Sequence, residues 1–438
     1  MSINFKCVIM SFIYSNITKL FNKITEEFHK SFLFINIFSI LNLLENKCTN
    51  NIFKRFYPSE NFLIFIERSN ILKNHIFNPL IVLIIFLVFL AISSCKLYFS
   101  LIETLIIAFL FFFIGSSIMP RFFLNGNIEV FSFKRNDVYS IGFLLMIISF
   151  IFFLISIASV GGLPILKLSL RYSIKPVFTM PVFLIIPGTC ILASVYLKDF
   201  QNEIITRSQV RFRFLVLLLV NIMLLLLLAY RTPIIASLLI LIIIAYFGGI
   251  ISVWEVIIAG IIGVGVIMGI GYYRSLEEFA ISSATNPFYS LKSRVDFTLH
   301  VLNLLDSIGG NFGLTHGKLI ASSIPGSEIG PRRMVGKLIG WRSEVTITPT
   351  LLGQMVADFG KVGVAFEMGI LGFILGIGFK IVKKTKNFAY IGIYSLILTY
   401  TIVGIETGIL DIQVLAYFVI AFFIYACSIF KNNLSHKI

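Results

Sequence analysis

Ten long apolar runs constrain this 438-residue chain more than any other feature of its sequence. A helix needs about 20 apolar residues to cross roughly 30 Å of hydrocarbon, which is the length scale of these runs. The sequence therefore predicts an all-α polytopic membrane protein with about 10 transmembrane helices. The predicted spans are 77–95, 97–119, 138–160, 177–197, 212–230, 232–250, 253–272, 350–379, 388–408 and 411–430.

The composition supports this class, since 58% of the residues are hydrophobic and 13% are charged. Soluble proteins carry charge on about a quarter of their residues. We divide the chain into a basic segment 1–74, a transmembrane domain 75–430 and a short tail 431–438. The apolar stretch 31–44 is short for a span and predicts a helix lying on the inner leaflet. If it did cross, the N-terminus would move outside.

The distribution of Lys and Arg predicts that both termini are cytoplasmic. Inner segments then hold 22 of the 36 cations and outer segments hold 13, which is the expected asymmetry. The outer segments nevertheless carry seven Arg against six Lys, whereas the inner ones carry seven against 15. The guanidinium group of arginine can donate two parallel hydrogen bonds to a phosphate or a carboxylate. The high share of arginine among the outer cations therefore favours an anionic ligand over simple contact with lipid head groups.

Arg231 is the most unusual of these outer arginines. It stands between spans 212–230 and 232–250 with almost no loop around it. An outward arginine in so short a connection runs against the positive-inside rule and predicts a functional role.

The segment 273–349, between spans seven and eight, is predicted to fold as a cap on the outer face. Leucine and valine recur along 291–306 at helical spacing, which predicts an amphipathic helix. The glycines of Gly309–Lys318 predict a loop that follows it. The apolar face of the predicted helix consists of Leu291, Val295, Leu299, Leu302 and Leu305.

The eighth span contains charged residues in an apolar run. Asp358, Lys361 and Glu367 alternate with glycines, which predicts a short re-entrant helix over 349–359, broken at Gly360, before a true span. Asp358 and Lys361 are three residues apart, a spacing that allows them to pair on one face of a helix, in either a structural or a functional role.

Five cysteines and five histidines are scattered along the chain without the spacing of a disulfide framework or a metal site. The sequence therefore predicts neither a metal site nor a cofactor.

Three motifs in this order resemble the oligosaccharide repeat-unit polymerases (Wzy-like) of O-antigen and capsule synthesis. They are the run Ala229-Tyr-Arg-Thr-Pro233, the outer loop with Gly317-Lys and Pro331-Arg-Arg, and Thr348-Pro-Thr-Leu-Leu-Gly followed by Asp358-Phe-Gly-Lys. The family's usual Gly-Gly-Arg-Gly is Ala-Tyr-Arg-Thr in this chain. The resemblance covers residues 75–430 and implies a fold similar to glycosyltransferase C.

The resemblance implies a metal-independent glycosyltransferase in the cell membrane. Such enzymes transfer a glycan from polyprenyl pyrophosphate to a second lipid-linked repeat unit at the outer face. The implied partners are polyprenyl-pyrophosphate-linked oligosaccharides, the lipid bilayer and also a chain-length regulator, with no nucleic acid.

Charge develops on the departing pyrophosphate and a proton leaves the acceptor hydroxyl, so the chemistry needs arginines and a base. The candidate catalytic residues are Arg231, Arg274, Arg294, Arg332, Arg333, His316 and Glu344, and the candidate substrate-binding residues are Arg171, Lys318, Asp358 and Lys361. Other carboxylates remain open as the base, namely Glu277, Glu278, Asp296, Asp306 and Glu328.

Other functions remain open on the sequence alone. A ligase that passes the glycan to a different acceptor would need the same arginines and the same cap. A polysaccharide flippase or transporter would show an internal repeat with matched broken helices, which the sequence does not contain. A mannosyltransferase-type enzyme would need a large acidic first outer loop, and a non-enzymatic membrane anchor would need no broken span.

Overall fold

The computed structural model describes residues 76–124, 128, 134–166, 170, 173–279, 287–324, 327, 329–340 and 347–430, and all regular secondary structure in these residues is helical. The predicted interfacial helix 31–44 and the tail lie outside the described residues. The helices of the N-terminal half are α1 (Ile81–Ile92), α2 (Phe99–Phe113), α3 (Met119–Phe123), α4 (Arg135–Val160), α5 (Pro176–Thr179), α6 (Ile185–Gln201), α7 (Arg207–Leu227) and α8 (Thr232–Phe247). Those of the C-terminal half are α9 (Val253–Phe279), α10 (Pro287–Gly309), α11 (Lys318–Ala321), α12 (Pro331–Leu338), α13 (Thr350–Thr385), α14 (Phe388–Thr407) and α15 (Ile412–Phe430).

Seven helices in the described part of the chain are long and apolar enough to cross a membrane. Two shorter apolar helices, Ile81–Ile92 and Thr232–Phe247, and the apolar part of α9, Val253–Val266, occupy the places of the other three predicted spans. The prediction of a polytopic all-helical membrane protein is confirmed at this level. The predicted number of ten crossings is not confirmed, since seven helices in the described residues meet the length and apolarity expected for a full crossing.

The chain divides into two compact units. The described residues of the first unit fall within 132–237 and 244–251, and those of the second within 69–131, 238–243 and 252–438. Each unit has its own packing and is considered separately.

Small and polar residues join the helices of the first unit. A Cβ on Gly188 of α6 would stand 3.2 Å from the backbone oxygen of Gly142 on α4, so glycine permits the close approach. Buried side chains then link α6, α7 and α8, because Asn221 donates to Thr189 at 2.7 Å and accepts from Ser237 at 3.1 Å. Such hydrogen bonds hold helices together where water is absent.

Helix α13 is the centre of the second unit and packs closely on α2. A Cβ on Gly372 would lie 2.5 Å from the carbonyl oxygen of Phe112, and one on Gly376 would lie 2.4 Å from that of Ser116. The facing segment Ile114–Ile118 is a π-turn that precedes Pro120. Proline cannot donate a backbone hydrogen bond to the preceding turn, so the wider turn accommodates it.

The predicted amphipathic helix of the cap is confirmed as α10. Four of its five predicted apolar positions are buried and Leu291 is half-buried. Gly309 on this helix and Gly353 on α13 allow the two helices to touch, since a Cβ on Gly309 would stand 2.1 Å from the Val356 oxygen. The cap has a small core that joins α10, α11, α12 and α13, formed by Val301, Leu305, Leu319, Val335, Ile347 and Ala357.

Candidate functional site

Helix α13 is broken at Gly360, as the sequence predicts. Gly360 has φ 62° and ψ −153°, a backbone conformation that is essentially restricted to glycine. A Cβ at this position would stand 2.4 Å from the backbone carbon of Asn311, so the neighbouring loop also requires glycine there. The break separates a buried first half of α13 from the long apolar second half.

The loop Gly310–Gly317 replaces the backbone hydrogen bonds that the break removes. The Lys361 N–H donates to Gly310 at 3.1 Å, and the Val362 N–H donates to Asn311 at 3.3 Å. The freed carbonyl of Ala357 accepts from Leu314 at 2.8 Å. Irregular backbone at membrane depth is tolerated where protein groups satisfy it, and this loop supplies them.

Asp358 is fully buried beside this loop. Its carboxylate accepts from the backbone of Leu319 at 3.0 Å and of Ile320 at 2.9 Å, and also from the Thr315 hydroxyl. The side chain therefore joins the end of the loop to α11. In this structure it has no exposed surface for contact with a substrate.

The predicted pairing of Asp358 with Lys361 is wrong. The rule for residues three apart assumes a continuous helix, and the backbone is broken at Gly360, between the two residues. Lys361 instead binds Glu103 on α2.

One face of α10 binds the turn between α1 and α2. Asp296 accepts from the backbone of Ser94 at 2.6 Å and of Cys95 at 3.2 Å, and also from the Ser93 hydroxyl. Asn303 donates to the Lys96 oxygen at 2.9 Å. Burial raises the pKa of Asp296, but these hydrogen bonds outweigh it and hold the pKa below its ordinary value.

Asp306 lies further along the same face and accepts from the Thr104 hydroxyl on α2. It is buried, as its exposure is 1%. Asp296 and Asp306 thus attach the cap to the first helices of the unit, although the sequence left both open as the catalytic base.

Two arginines of the cap converge on the end of α14 and the turn that leads to α15. Arg294 of α10 binds Glu406, and Arg332 of α12 donates to Asp411 at 2.8 Å. Ser323 also donates to the backbone oxygen of Leu410 in this turn. Three elements of the cap therefore meet the residues Glu406–Asp411, which comprise the end of α14 and the turn that follows it, and we call this group the turn site.

Each arginine of the turn site binds its carboxylate through one nitrogen only. Arg294 uses Nε and Arg332 uses one Nη, and their side chains are 37% and 39% exposed. Arg135 in the first unit is different, since its Nε and Nη2 bind both oxygens of Asp199 at 2.6 and 2.7 Å. Within the described residues the other N–H groups of Arg294 and Arg332 remain available for an anion.

The remaining predicted residues of the second unit are distributed around the cap. His316 is exposed in the loop Gly310–Gly317, and Lys318 is exposed directly after it. The His316 backbone N–H donates to the backbone carbonyl oxygen of Asp358 at 3.0 Å. Arg333 is exposed in the first turn of α12. Arg274 lies on α9, and its side chain is not described.

Arg231 belongs to the first unit and is buried, with 8% exposure, at the residue preceding α8. Its neighbour Tyr230 packs edge-on against Phe183, with ring centroids 5.0 Å apart. Ala229 has φ 59°, in the left-handed region that glycine favours. This geometry accounts for a glycine at the matching position of the family motif.

Arg171, Glu328 and Glu344 lie outside the described residues, and the side chains of Glu277 and Glu278 are likewise not described. Glu406 and Asp411 are not among the site residues predicted from the sequence. A signal for them exists, because both flank Gly408 at the ends of two apolar spans, on the side predicted for the cap.

The apolar helices define a polytopic membrane protein, in which arginines of α10 and α12 bind carboxylates at the end of α14 and just before α15. The chain belongs to the O-antigen polymerase family, whose model, described as "Putative O-antigen polymerase", matches residues 75–418. It is also similar to an uncharacterized protein of Methanocaldococcus jannaschii, with 28% identity over 340 residues that cover 76% of this chain and 90% of the relative. No solved structure matches the chain.

Proposed function

We propose that this protein polymerises lipid-linked oligosaccharide repeat units, without a metal or cofactor, at the outer face of the cell membrane. The donor is a glycan on polyprenyl pyrophosphate and the acceptor is the sugar of a second lipid-linked unit. Family membership supports the reaction class, and the apolar helices suit substrates that remain in the bilayer.

The turn site carries the proposal. Arg294 and Arg332 are held at one nitrogen each by Glu406 and Asp411, so their positions are fixed while other N–H groups remain for phosphate oxygens. Donors aimed at developing charge contribute roughly 3–4 kcal/mol each to transition-state stabilisation. Arg231, Arg274 and Arg333 remain proposed contributors.

The reaction balances without a further reactant. The acceptor hydroxyl oxygen bonds to the anomeric carbon of the donor while the bond from that carbon to the pyrophosphate oxygen breaks. The hydroxyl proton passes to a base, and polyprenyl pyrophosphate leaves with the electron pair. Glu406 and Asp411 join His316 and Glu344 as candidates for that base, because their carboxylates adjoin the arginines proposed for the leaving group.

We assign substrate contacts to exposed groups. Lys318 is exposed at the start of α11, whereas Asp358 and Lys361 support the broken helix from inside. Arg171 and a chain-length regulator remain proposed as a substrate contact and a partner.

The test is the rate at which Arg294→Lys and Arg332→Lys form polymer, normalised to the amount of inserted protein, together with the length of the polymer made. Lysine keeps the positive charge but cannot donate two parallel hydrogen bonds to one phosphate. The rate of polymerisation should therefore fall roughly 10²–10³-fold if the guanidinium binds pyrophosphate. Arg135→Lys is the matched control, because its arginine is occupied by Asp199 and should affect only protein yield. A normal rate and a normal polymer length in both cap variants would refute the assignment.

Deletion of the gene separates the polymerase from its nearest alternative. Accumulation of single lipid-linked repeat units is expected for a polymerase. Accumulation of long, unattached polymer would instead identify a ligase.

The topology is tested with Lys318→Cys and Lys383→Cys, both at exposed positions of the second unit. A membrane-impermeant thiol reagent should label position 318 in intact cells and leave 383 unlabelled. The reverse pattern would invert the proposed orientation and place the cap inside.

A further inference from the structure

A group of cations gathers at one end of the first unit. Arg135 binds Asp199 and so joins the start of α4 to the end of α6, while Arg207 and Arg211 both bind the carbonyl of Ile250 and join the start of α7 to the end of α8. The ends of four helices therefore lie together. We call this group the basic end.

Two guanidinium groups share one neutral acceptor at the basic end. Arg207 donates through Nε to the Ile250 oxygen at 2.8 Å, and Arg211 donates to the same oxygen through Nε at 3.1 Å and Nη2 at 2.9 Å. One neutral carbonyl oxygen therefore brings two guanidinium groups close together. Such a pair resembles the arrangement in which arginines bind a phosphate group.

The position of the Ile250 carbonyl is fixed by its surroundings. Ile250 is fully buried and its N–H donates to Ala245 at 2.8 Å, following Gly249 with φ 69°. A Cβ on Gly248 would stand 2.3 Å from the side chain of Leu197, so this end of α8 packs closely on α6. The two arginines therefore bind an acceptor whose position the packing fixes.

Most of the N–H donors of the Arg207 guanidinium are available to a ligand. Its side chain is exposed, and among the described residues it makes one hydrogen bond, through Nε, so both Nη groups lack a protein acceptor. Arg213 is placed differently, since its guanidinium lies over the ring of Tyr196 at 5.3 Å.

The charge of the basic end is unbalanced. Among the described residues of these four helix ends, the carboxylates are Asp137, Asp199 and Glu203, and Asp199 is already bound to Arg135. The cations are Lys134, Arg135, Lys198, Arg207, Arg211 and Arg213. Cationic residues therefore outnumber carboxylates six to three among the described residues of these helix ends, which favours an anion there.

The surroundings indicate which anion fits. Helices α4, α6 and α7 belong to segments apolar enough to cross a membrane, so the basic end stands where an apolar span meets water. Ile204, three residues before Arg207, is 63% exposed, which suits contact with acyl chains. We infer that Arg207 and Arg211 bind the phosphate of an anionic lipid head group, a site independent of the proposed polymerase reaction.

The experiment measures lipid binding to the purified full-length protein by native mass spectrometry, with phosphatidylglycerol against phosphatidylcholine. Wild type should retain phosphatidylglycerol preferentially, and Arg207→Gln should weaken that binding about fivefold, as expected for one arginine near an anionic surface. Lys134→Gln is the matched control, because it removes a charge at the same end without touching the shared carbonyl.

Equal binding of the two lipids, or equal losses in the Arg207 and Lys134 variants, would overturn the site in favour of a diffuse charge effect. Inorganic phosphate that displaces the lipid at millimolar concentration would overturn the lipid assignment and indicate a soluble phosphate ligand. Thermal melting without added lipid verifies that Arg207→Gln is folded, and Arg207→Lys gives a second variant that keeps the charge and removes the fork.

Discussion

Replacement of Gly360 by alanine should uncouple the cap from the span below it. The backbone at Gly360, with φ 62° and ψ −153°, costs an alanine about 1–3 kcal/mol. The new Cβ would also stand 2.4 Å from the Asn311 carbon and 2.5 Å from the Phe312 nitrogen. These are backbone atoms, so the loop must move to relieve the overlap.

Movement of the loop removes hydrogen bonds as well as contacts. The bonds from Lys361 to Gly310 and from Val362 to Asn311 are the nearest, and each is worth about 1 kcal/mol net. Strain and lost bonds together give about 4 kcal/mol, which corresponds to a melting shift on the order of 5–10 °C. Thermal unfolding of the purified protein measures this shift directly.

Two other glycines provide matched controls. Gly369 lies on the same helix, and its Cβ would meet only the Phe111 ring at 3.8 Å, so Gly369→Ala should be neutral or slightly stabilising. Gly310 has φ 54° but open space around its Cβ, so Gly310→Ala should cost about 1 kcal/mol from conformation alone. If Gly360→Ala had the same melting temperature as these controls, the coupling between loop and helix would be refuted.

Three further substitutions test individual carboxylates. Asp358→Asn should lower the free energy of unfolding by about 2–4 kcal/mol, because an amide NH2 group would face backbone N–H donors that now bind a carboxylate. Denaturant-induced unfolding measures this loss, and an unchanged free energy of unfolding would contradict the role of the buried carboxylate. Both oxygens of Glu367 are buried without a partner in the described residues, so Glu367→Gln should melt at or above the wild-type temperature, and a large decrease would reveal an ionic partner. The lowered pKa of Asp296 stabilises the fold above the ordinary carboxyl pKa and loses this effect as the pH falls through the lowered value. Asp296→Asn should therefore reduce the difference between melting temperatures at neutral and acid pH, and an unchanged difference would contradict this role.

Local patterns in the sequence were sufficient for several parts of the fold. The 3.6-residue period of apolar side chains predicted the buried face of α10, and the glycine among charged residues predicted the break at Gly360. Both features depend on residues that are neighbours in the chain, so a single sequence contains them.

The ion pairs could not be predicted in the same way. Arg294 and Glu406 are 112 residues apart in the chain, and nothing in one sequence specifies that separation. The expected bond between Asp358 and Lys361 failed for the same physical reason, since the partners of both residues come from distant segments. Spans could be located from apolar length, whereas the contacts between them depend on packing.

The loop Gly310–Gly317 has a consequence for biogenesis and for exchange of parts between relatives. It leaves the ribosome before α13, and the two segments complete each other's backbone hydrogen bonds only after both exist. The second half of α13 contains enough apolar sequence to insert by itself, while the loop, which is made first, lacks these backbone partners until the first half of α13 has been synthesised. A chimera that exchanges the cap must therefore also carry residues 350–362 from the same parent, or the junction will leave peptide groups without partners in a dry environment.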